Sequence, residues 1–202
     1  GVLRGVLAAR LAFLIVGGTG SGKTTLLGSL IGEMLPGERI LCVEDALELD
    51  PPHPHIVRLV ARTANVEGAG EVPVRVLVRQ ALRMRPDRIV VGEVRGAEVI
   101  DLLTALNTGH DGCAGTLHAN STAEVPARME ALAALGGMAR AALHSQLAAA
   151  VQVVLGVART PGGNRGLAEI GVVSRGDDGL VRIRPVWTRG SGFAESAGRL
   201  DE

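Results

Sequence analysis

One stretch decides the fold: residues 11–24, which read LAFLIVGGTGSGKT. The stretch begins with a continuous apolar run, Leu11–Val16, of the kind that forms a buried parallel strand. Glycines end that run, and helical spacing follows from Lys23 to about Leu35, where Pro36 and Gly37 close the helix. The sequence therefore predicts a strand, a glycine-rich turn and a helix in direct succession.

The glycine-rich turn fits the phosphate-binding pattern G-x-x-x-x-G-K-[ST] in the context that this pattern requires. Glycines allow successive backbone N–H groups to point at phosphate oxygens, and the helix N-terminus favours negative charge. Lys23 can bridge two phosphates, and the Thr24 hydroxyl can ligate Mg²⁺. We predict a nucleotide site. Its binding residues are Gly17, Gly18, Thr19, Gly20, Ser21, Gly22, Lys23, Thr24 and Thr25.

Lys23 is also the one lysine in a chain of 202 residues with 21 Lys+Arg, so the other basic residues are all arginines. A compositional bias accounts for arginine wherever only a positive charge is needed. The position that keeps lysine is then one that needs a compact charge on a slim stem, which a planar guanidinium cannot supply.

Composition excludes several classes of protein. Charged residues make up 21% and hydrophobic residues 47%, which is not the balance of a disordered chain. The net charge is zero and Tyr is absent, which argues against nucleic acid as a partner. Cys42 and Cys113 lie far apart without a CxxC motif, so we expect no zinc site and a reducing compartment. No apolar run approaches the length of a membrane span.

Further along the chain, strand and helix patterns alternate, which predicts an α/β fold with a mainly parallel sheet. From Val151 onward, strand patterns joined by Gly-rich turns predict a small C-terminal β extension or an antiparallel edge. We therefore divide the chain into a nucleotide-binding core (1–158), a β segment of the same domain (159–187) and a flexible tail (188–202).

Acidic and histidine side chains follow three of the predicted strands. Glu93 ends the run that begins at Arg88, with Gly92 where many phosphate-loop proteins have Asp, and Glu44 and Glu48 follow the strand Arg39–Val43. Acids just past parallel strands lie in the crevice where ligands bind, and nucleotide hydrolysis needs carboxylates there. His118 follows the strand Ala114–Leu117, where it can face the terminal phosphate. A solvated loop or a packed histidine is the alternative at each position.

Four segments together resemble the boxes of the secretion ATPase superfamily, which drives type II secretion, type IV pili and type IV secretion or conjugation. They are GGTGSGKT (17–24, Walker A), CVEDALEL (42–49, Asp box), RIVVGEVRG (88–96, Walker B) and TGHDGCAGTLHANS (108–121, His box). Within the superfamily, Leu82–Ile89 and Ala168–Gly171 are similar to the Tad/Flp pilus-assembly (CpaF-like) branch.

This resemblance implies a RecA-like P-loop NTPase core that binds ATP and Mg²⁺ and hydrolyses ATP. It also implies a hexamer that works peripherally on an inner-membrane platform protein from the cytoplasm. The family carries a further N-terminal domain; only 16 residues precede Gly17, so we expect that domain to be absent.

The resemblance also assigns roles to individual residues. Thr24 and Glu93 would hold the Mg²⁺, and Glu48 would polarise the attacking water, with Glu44 assisting. His110 and His118 would couple the terminal phosphate to subunit motion. Three arginines are candidates for stabilising transition-state charge. They are Arg62, Arg79 and Arg83.

Three alternatives remain open. A P-loop kinase would need a substrate lid and would lack the segment Gly115–Asn120. An assembly subunit that binds nucleotide without hydrolysing it would keep the phosphate loop alone. A DNA-translocating or conjugation ATPase would need a local basic channel in a chain of zero net charge.

Overall fold

The computed structural model describes residues 1–109, 111–160 and 162–194. Nine strands form one sheet. They are β1 (Phe13–Val16), β2 (Ile40–Glu44), β3 (Ile56–Val60), β4 (Arg88–Val94), β5 (Ala114–Leu117), β6 (Val153–Arg159), β7 (Arg165–Arg175), β8 (Val181–Thr188) and β9 (Gly192–Phe193). Six α-helices flank them. They are α1 (Val2–Ala8), α2 (Lys23–Gly32), α3 (Val74–Ala81), α4 (Glu98–Leu106), α5 (Val125–Leu135) and α6 (Arg140–Ala150).

The sheet order is β3-β2-β4-β5-β1-β6-β7-β8-β9. Strands β3 to β6 in this order are parallel, and β7, β8 and β9 add to the β6 side as antiparallel strands. The predicted α/β fold with a mainly parallel sheet and a C-terminal β extension is therefore confirmed. Because β1, β2, β4 and β5 are parallel neighbours, their carboxyl ends meet at one edge of the sheet, where ligands bind in such folds.

Two apolar clusters cover the two faces of the sheet. Phe13 and Ile15 point to the face packed by α1 and α2, whereas Leu14 and Val16 point to the face packed by α3 to α6. All four side chains are buried, because a central parallel strand is covered on both sides. The result is a three-layer α/β/α arrangement that holds the glycine turn rigidly at the end of β1.

A buried ion pair stabilises the opposite side of the sheet, where the parallel strands begin. Arg88, at the start of β4, donates from Nε and Nη2 to both carboxylate oxygens of Glu38 at 2.9 and 3.0 Å. Its guanidinium also donates to the carbonyls of Leu7 and Gly112. Arg88 is 1% exposed and Glu38 6%. One side chain thus joins α1 to the loops before β2 and β5.

The tail differs from expectation in its first part. We predicted a flexible tail from residue 188, but Gly192 and Phe193 form β9 and pair with Thr188 and Trp187 of β8. A two-residue strand has no periodicity from which to predict it. The remainder of the predicted tail, 195–202, lies outside the described residues. Within the described ranges, no helix has both the length and the apolar character needed to span a bilayer.

Candidate nucleotide-binding site

The glycine turn between β1 and α2 has the backbone shape of a phosphate loop. Gly20 and Gly22 adopt φ of +67° and +101°, a conformation that side-chain-bearing residues rarely take. A Cβ on Gly17 would collide with the carbonyl oxygen of Val157 on β6. Gly22 caps α2 without a side-chain hydrogen bond, so the first-turn N–H groups of the helix are left for an anion.

Lys23 folds back over this loop. Its ammonium donates to the carbonyls of Gly17 and Gly18 at 2.9 and 3.3 Å, and the residue is 8% exposed. Burial lowers the pKa of Lys23, while the nearby Glu93 carboxylate works in the opposite direction. The ammonium therefore occupies the mouth of the loop, and it can exchange two carbonyl acceptors for phosphate oxygens.

His118 and Glu93 stand next to that ammonium. The His118 Nε2 atom lies 3.4 Å from Lys23 Nζ and 3.0 Å from Glu93 Oε1. On its other oxygen, Glu93 accepts a 2.8 Å hydrogen bond from Arg95 Nε, and Arg95 also forms an ion pair with Asp45 at 2.6 Å. The structure thus brings the ends of β4 and β5 together at the phosphate loop, as the sequence led us to expect for Glu93 and His118.

A β-bulge aims Glu93 at the site. The β4–β5 register shifts between Val91 and Val94, so that one extra residue of β4 stands opposite β5. The Thr116 hydroxyl donates to the Gly92 carbonyl at 2.6 Å and fixes the bulge. Bulges re-aim single side chains, and this one places Glu93 beside His118.

The Asp-box glutamates have different environments. Glu44 is 3% exposed, and its Oε1 accepts hydrogen bonds from the backbone N–H groups of Glu48 (3.1 Å) and Leu49 (3.0 Å). Burial raises the pKa of Glu44, and these two hydrogen bonds oppose the rise. Glu48 is exposed and accepts from the Thr24 hydroxyl at 3.3 Å. Glu44 therefore shapes the turn that presents Glu48 to the phosphate loop.

Gly92→Ala should disrupt this turn. A Cβ at position 92 would lie 2.8 Å from Glu44 Cγ, closer than packed carbons tolerate, so Glu44 would have to move. We expect Gly92→Ala to destabilise the fold by about 1–3 kcal/mol, measured by urea unfolding, and to lower ATP turnover. Gly37→Ala is the matched control, because nothing lies within 4 Å of a Cβ there and Gly37 is not one of the predicted binding residues. Equal stability of both variants would contradict this account.

The site offers oxygen ligands suited to Mg²⁺. Among the described residues, four buried side-chain atoms have no hydrogen-bond partner. Three of them belong to the phosphate loop or to the acids beside it. The four atoms are Ser21 Oγ, Glu44 Oε2, Glu93 Oε1 and, away from the loop, Thr122 Oγ1. Glu93 Oε1 has an ion-pair contact with His118 Nε2 at 3.0 Å but accepts no hydrogen bond from a described residue. Buried polar atoms are ordinarily satisfied, so orphaned oxygens indicate a missing partner. With the Thr24 hydroxyl they match the donor set that Mg²⁺ prefers.

The remaining predicted residues lie elsewhere. Arg79 of α3 donates to Asp101 of α4 at 2.6 Å, and Arg62 donates to the carbonyl of Gly70 in the loop after β3. Arg83 is exposed and forms no side-chain hydrogen bond or ion pair to any described residue. Their predicted role toward nucleotide is not visible within one chain. His110 lies outside the described residues.

Arg95 is a site residue that sequence reasoning missed. Its guanidinium joins Glu93 to Asp45, and hydrogen bonding to Glu93 raises the pKa of Arg95. The available signal was spacing: Arg95 follows Glu93 by two residues, so both side chains leave an extended segment on the same side. Asp45 was read as part of the Asp box without a partner.

A doubly wound sheet with a glycine loop after β1, and acids at the ends of β2 and β4, defines the class of P-loop nucleotide-binding proteins. The particular family follows from comparison with known proteins. Residues 1–160 match the family model described as "Type II/IV secretion system protein", and the chain belongs to this family.

Relatives and solved structures agree with that assignment. A Mycobacterium tuberculosis (strain H37Rv) protein named for conjugal transfer, Rv3659c, is 67% identical over 197 residues, covering 98% of this chain and 56% of its own length. The VirB11 ATPase of the Brucella suis type IV secretion system, solved with sulphate, aligns with a TM-score of 0.75 at 29% identity, covering 84% of this chain and 50% of that one. The pilus retraction motor PilT, solved with ADP, aligns with a TM-score of 0.65 at 29% identity, covering 83% and 48%. The chain thus spans about half the length of these proteins.

Proposed function

We propose that this chain is the ATP-binding and ATP-hydrolysing motor core of a secretion or pilus-assembly ATPase. The observation that carries the proposal is the meeting of Thr24 and Glu48 at 3.3 Å. Thr24 belongs to the phosphate loop after β1 and Glu48 to the loop after β2, and two strands, β4 and β5, lie between β1 and β2 in the sheet. Folding has therefore brought a phosphate-loop hydroxyl and an exposed carboxylate together. A passive nucleotide binder has no need of that carboxylate.

The reaction assigned to this site is attack of water on the terminal phosphate of ATP. Loop N–H groups and Lys23 hold the phosphates, and the charge of Lys23 stabilises negative charge that develops on them. Glu48 accepts a hydrogen bond from the attacking water and orients it. Thr24 and Glu93 would hold Mg²⁺, which supplies further positive charge to the phosphate oxygens.

His118 supplies a link between nucleotide and protein. A single ring nitrogen cannot both accept from Lys23 and donate to Glu93, since the first needs a lone pair and the second a proton. His118 Nε2 lies near both groups. When the Lys23 ammonium binds a phosphate, the His118 ring can form its hydrogen bond with Glu93 or with the phosphate instead. The orientation of His118 then depends on the occupancy of the site, as the proposed coupling requires.

Glu48→Gln is the experiment that tests hydrolysis. We expect the variant to bind ATP with near-normal affinity and to lose at least about 100-fold in turnover, because an amide orients water less effectively than a carboxylate. Steady-state phosphate release and titration calorimetry give the two quantities. Asp50→Asn is the matched control: Asp50 is an exposed acid near Glu48 that pairs with Arg58 instead. Unchanged turnover in Glu48→Gln would leave a nucleotide-binding assembly subunit as the better description.

The wider role follows from the family. The proposed assembly is a homo-oligomer, a hexamer by resemblance, that acts on an inner-membrane platform protein from the cytoplasmic face. Similarity at Leu82–Ile89 and Ala168–Gly171 supports the Tad/Flp pilus branch. The naming of Rv3659c for conjugal transfer favours the second candidate, a conjugation ATPase.

A further inference from the structure

The hairpin between β6 and β7 carries two arginines directly opposite each other. Arg159 ends β6 and Arg165 begins β7, and the antiparallel register pairs the two residues. Like charges that face each other across a strand pair are unfavourable unless an anion lies between or beside them. Both arginines are exposed, and neither side chain forms a hydrogen bond or an ion pair with any residue in the described ranges.

This hairpin packs against the phosphate loop. A Cβ placed on Gly22 would lie 3.6 Å from Cβ and 3.7 Å from Cδ of Arg165. A Cβ placed on Gly20 would lie 3.9 Å from Nη2 of Arg159. At the base of the hairpin, the Val157 carbonyl touches the first glycine of the loop, Gly17. The guanidinium of Arg159 and the aliphatic stem of Arg165 therefore lie beside the turn that would bind phosphate.

The topology determines which side of the loop they occupy. β1 lies between β5 and β6 in the sheet. Glu93 and His118 approach the loop from the β4 and β5 side, and Glu48 approaches from β2, farther out on that side. The terminal phosphate must lie toward these groups if they act on it. The hairpin arginines reach the loop from β6, on the opposite side.

We infer that Arg159 and Arg165 bind the nucleotide at the end of its phosphate chain away from the reacting phosphate. Their charge then offsets that of the phosphates shared by ATP and ADP. This inference rests on the proposed nucleotide site and adds to it two binding residues outside the four sequence boxes. It also gives a reason for two arginines to stand opposite each other without an acidic partner in the described part of the chain.

The test compares the affinities of ADP, ATP and inorganic tripolyphosphate for Arg159→Ala and Arg165→Ala by titration calorimetry. We expect each variant to bind all three about tenfold more weakly, since a charge-assisted hydrogen bond to phosphate is lost. The KM for ATP should rise about tenfold in each variant, because groups that bind substrate and transition state alike act on KM. Lysine at either position should recover part of the affinity.

Arg184→Ala is the matched control, an exposed arginine on β8 without a side-chain partner in the described ranges. Normal binding of all three ligands by both hairpin variants, with Lys23→Ala defective, would overturn this inference and leave the phosphate loop intact. A loss confined to ATP would overturn it as well, since the arginines would then face the terminal phosphate. A change in oligomeric state with unchanged affinities would assign them to contacts with a second copy. Failure of the unmodified chain to bind ADP would reject both proposals.

Discussion

Lys23→Arg is expected to abolish ATP hydrolysis as completely as Lys23→Ala does. The ammonium lies in a narrow loop, 8% exposed, and donates to two backbone carbonyls on the same turn. A guanidinium is wider and planar, and it cannot enter without opening the loop. We expect turnover to fall by at least about 100-fold in both variants, the loss typical when a preorganised donor is removed. Phosphate release measures turnover, and ADP titration separates binding from chemistry.

The composition of the chain makes this substitution informative. Arginine fills every basic position except 23, so most basic sites accept a guanidinium. The control is the reverse exchange, Arg184→Lys on β8, which should leave activity and stability unchanged. If Lys23→Arg retains more than half of the turnover, the phosphate loop does not require the shape of a lysine side chain. The single lysine at position 23 would then have no functional explanation.

Arg88→Ala is expected to give the largest loss of stability in the chain. The substitution removes the closer of two cations at the almost fully buried Glu38 carboxylate, where Arg10 lies farther away at 3.4 Å. It also leaves two carbonyls without their donor. Breaking a buried pair by deleting one partner costs about 3–5 kcal/mol. For a domain of this size, that loss corresponds to a fall in Tm on the order of 10 °C. Urea unfolding and thermal scans measure both quantities.

Two controls distinguish the effect of losing a buried ion pair from the effect of losing an arginine charge at the surface. Arg182→Ala breaks an exposed pair with Asp178 that solvent screens, and we expect no measurable loss of stability. The double variant Arg88→Met/Glu38→Leu should recover much of the stability lost in Arg88→Ala, because apolar residues can replace a buried pair. A loss below about 1 kcal/mol in Arg88→Ala would contradict the role given to this pair. ADP affinity should stay normal, since Arg88 starts β4 at the edge opposite the phosphate loop.

Much of the fold was predictable because its signals are local. The phosphate loop is encoded within eight consecutive residues, and its strand and helix are continuous with it. Apolar runs located the parallel strands, and glycines and prolines located their ends. Glu93 and the cluster that ends at Glu48 stood out in the sequence because they lie at the end of such a strand or in the loop after it.

The partners of those residues were not predictable in the same way. Arg79 stays a candidate for stabilising transition-state charge, and nothing in the sequence indicated that its guanidinium also binds Asp101 on the neighbouring helix. Arg88 was read as the start of a strand, and its burial with Glu38 depends on residues 50 positions apart. Each outcome depends on which elements become neighbours, and periodicity in one segment carries no information about that.

The sequence by itself determined that this protein has a phosphate loop on a mainly parallel α/β sheet, with acids beyond the strands. The tertiary structure alone decided where those acids lie and what they contact. The order β2-β4-β5-β1 and the bulge at Gly92 bring Glu93 to His118 and Glu48 to Thr24, and they assign Glu44 to holding the turn. The physical reason is that strand order and register are set by packing across the whole sheet, whereas a loop of glycines is set by its own backbone.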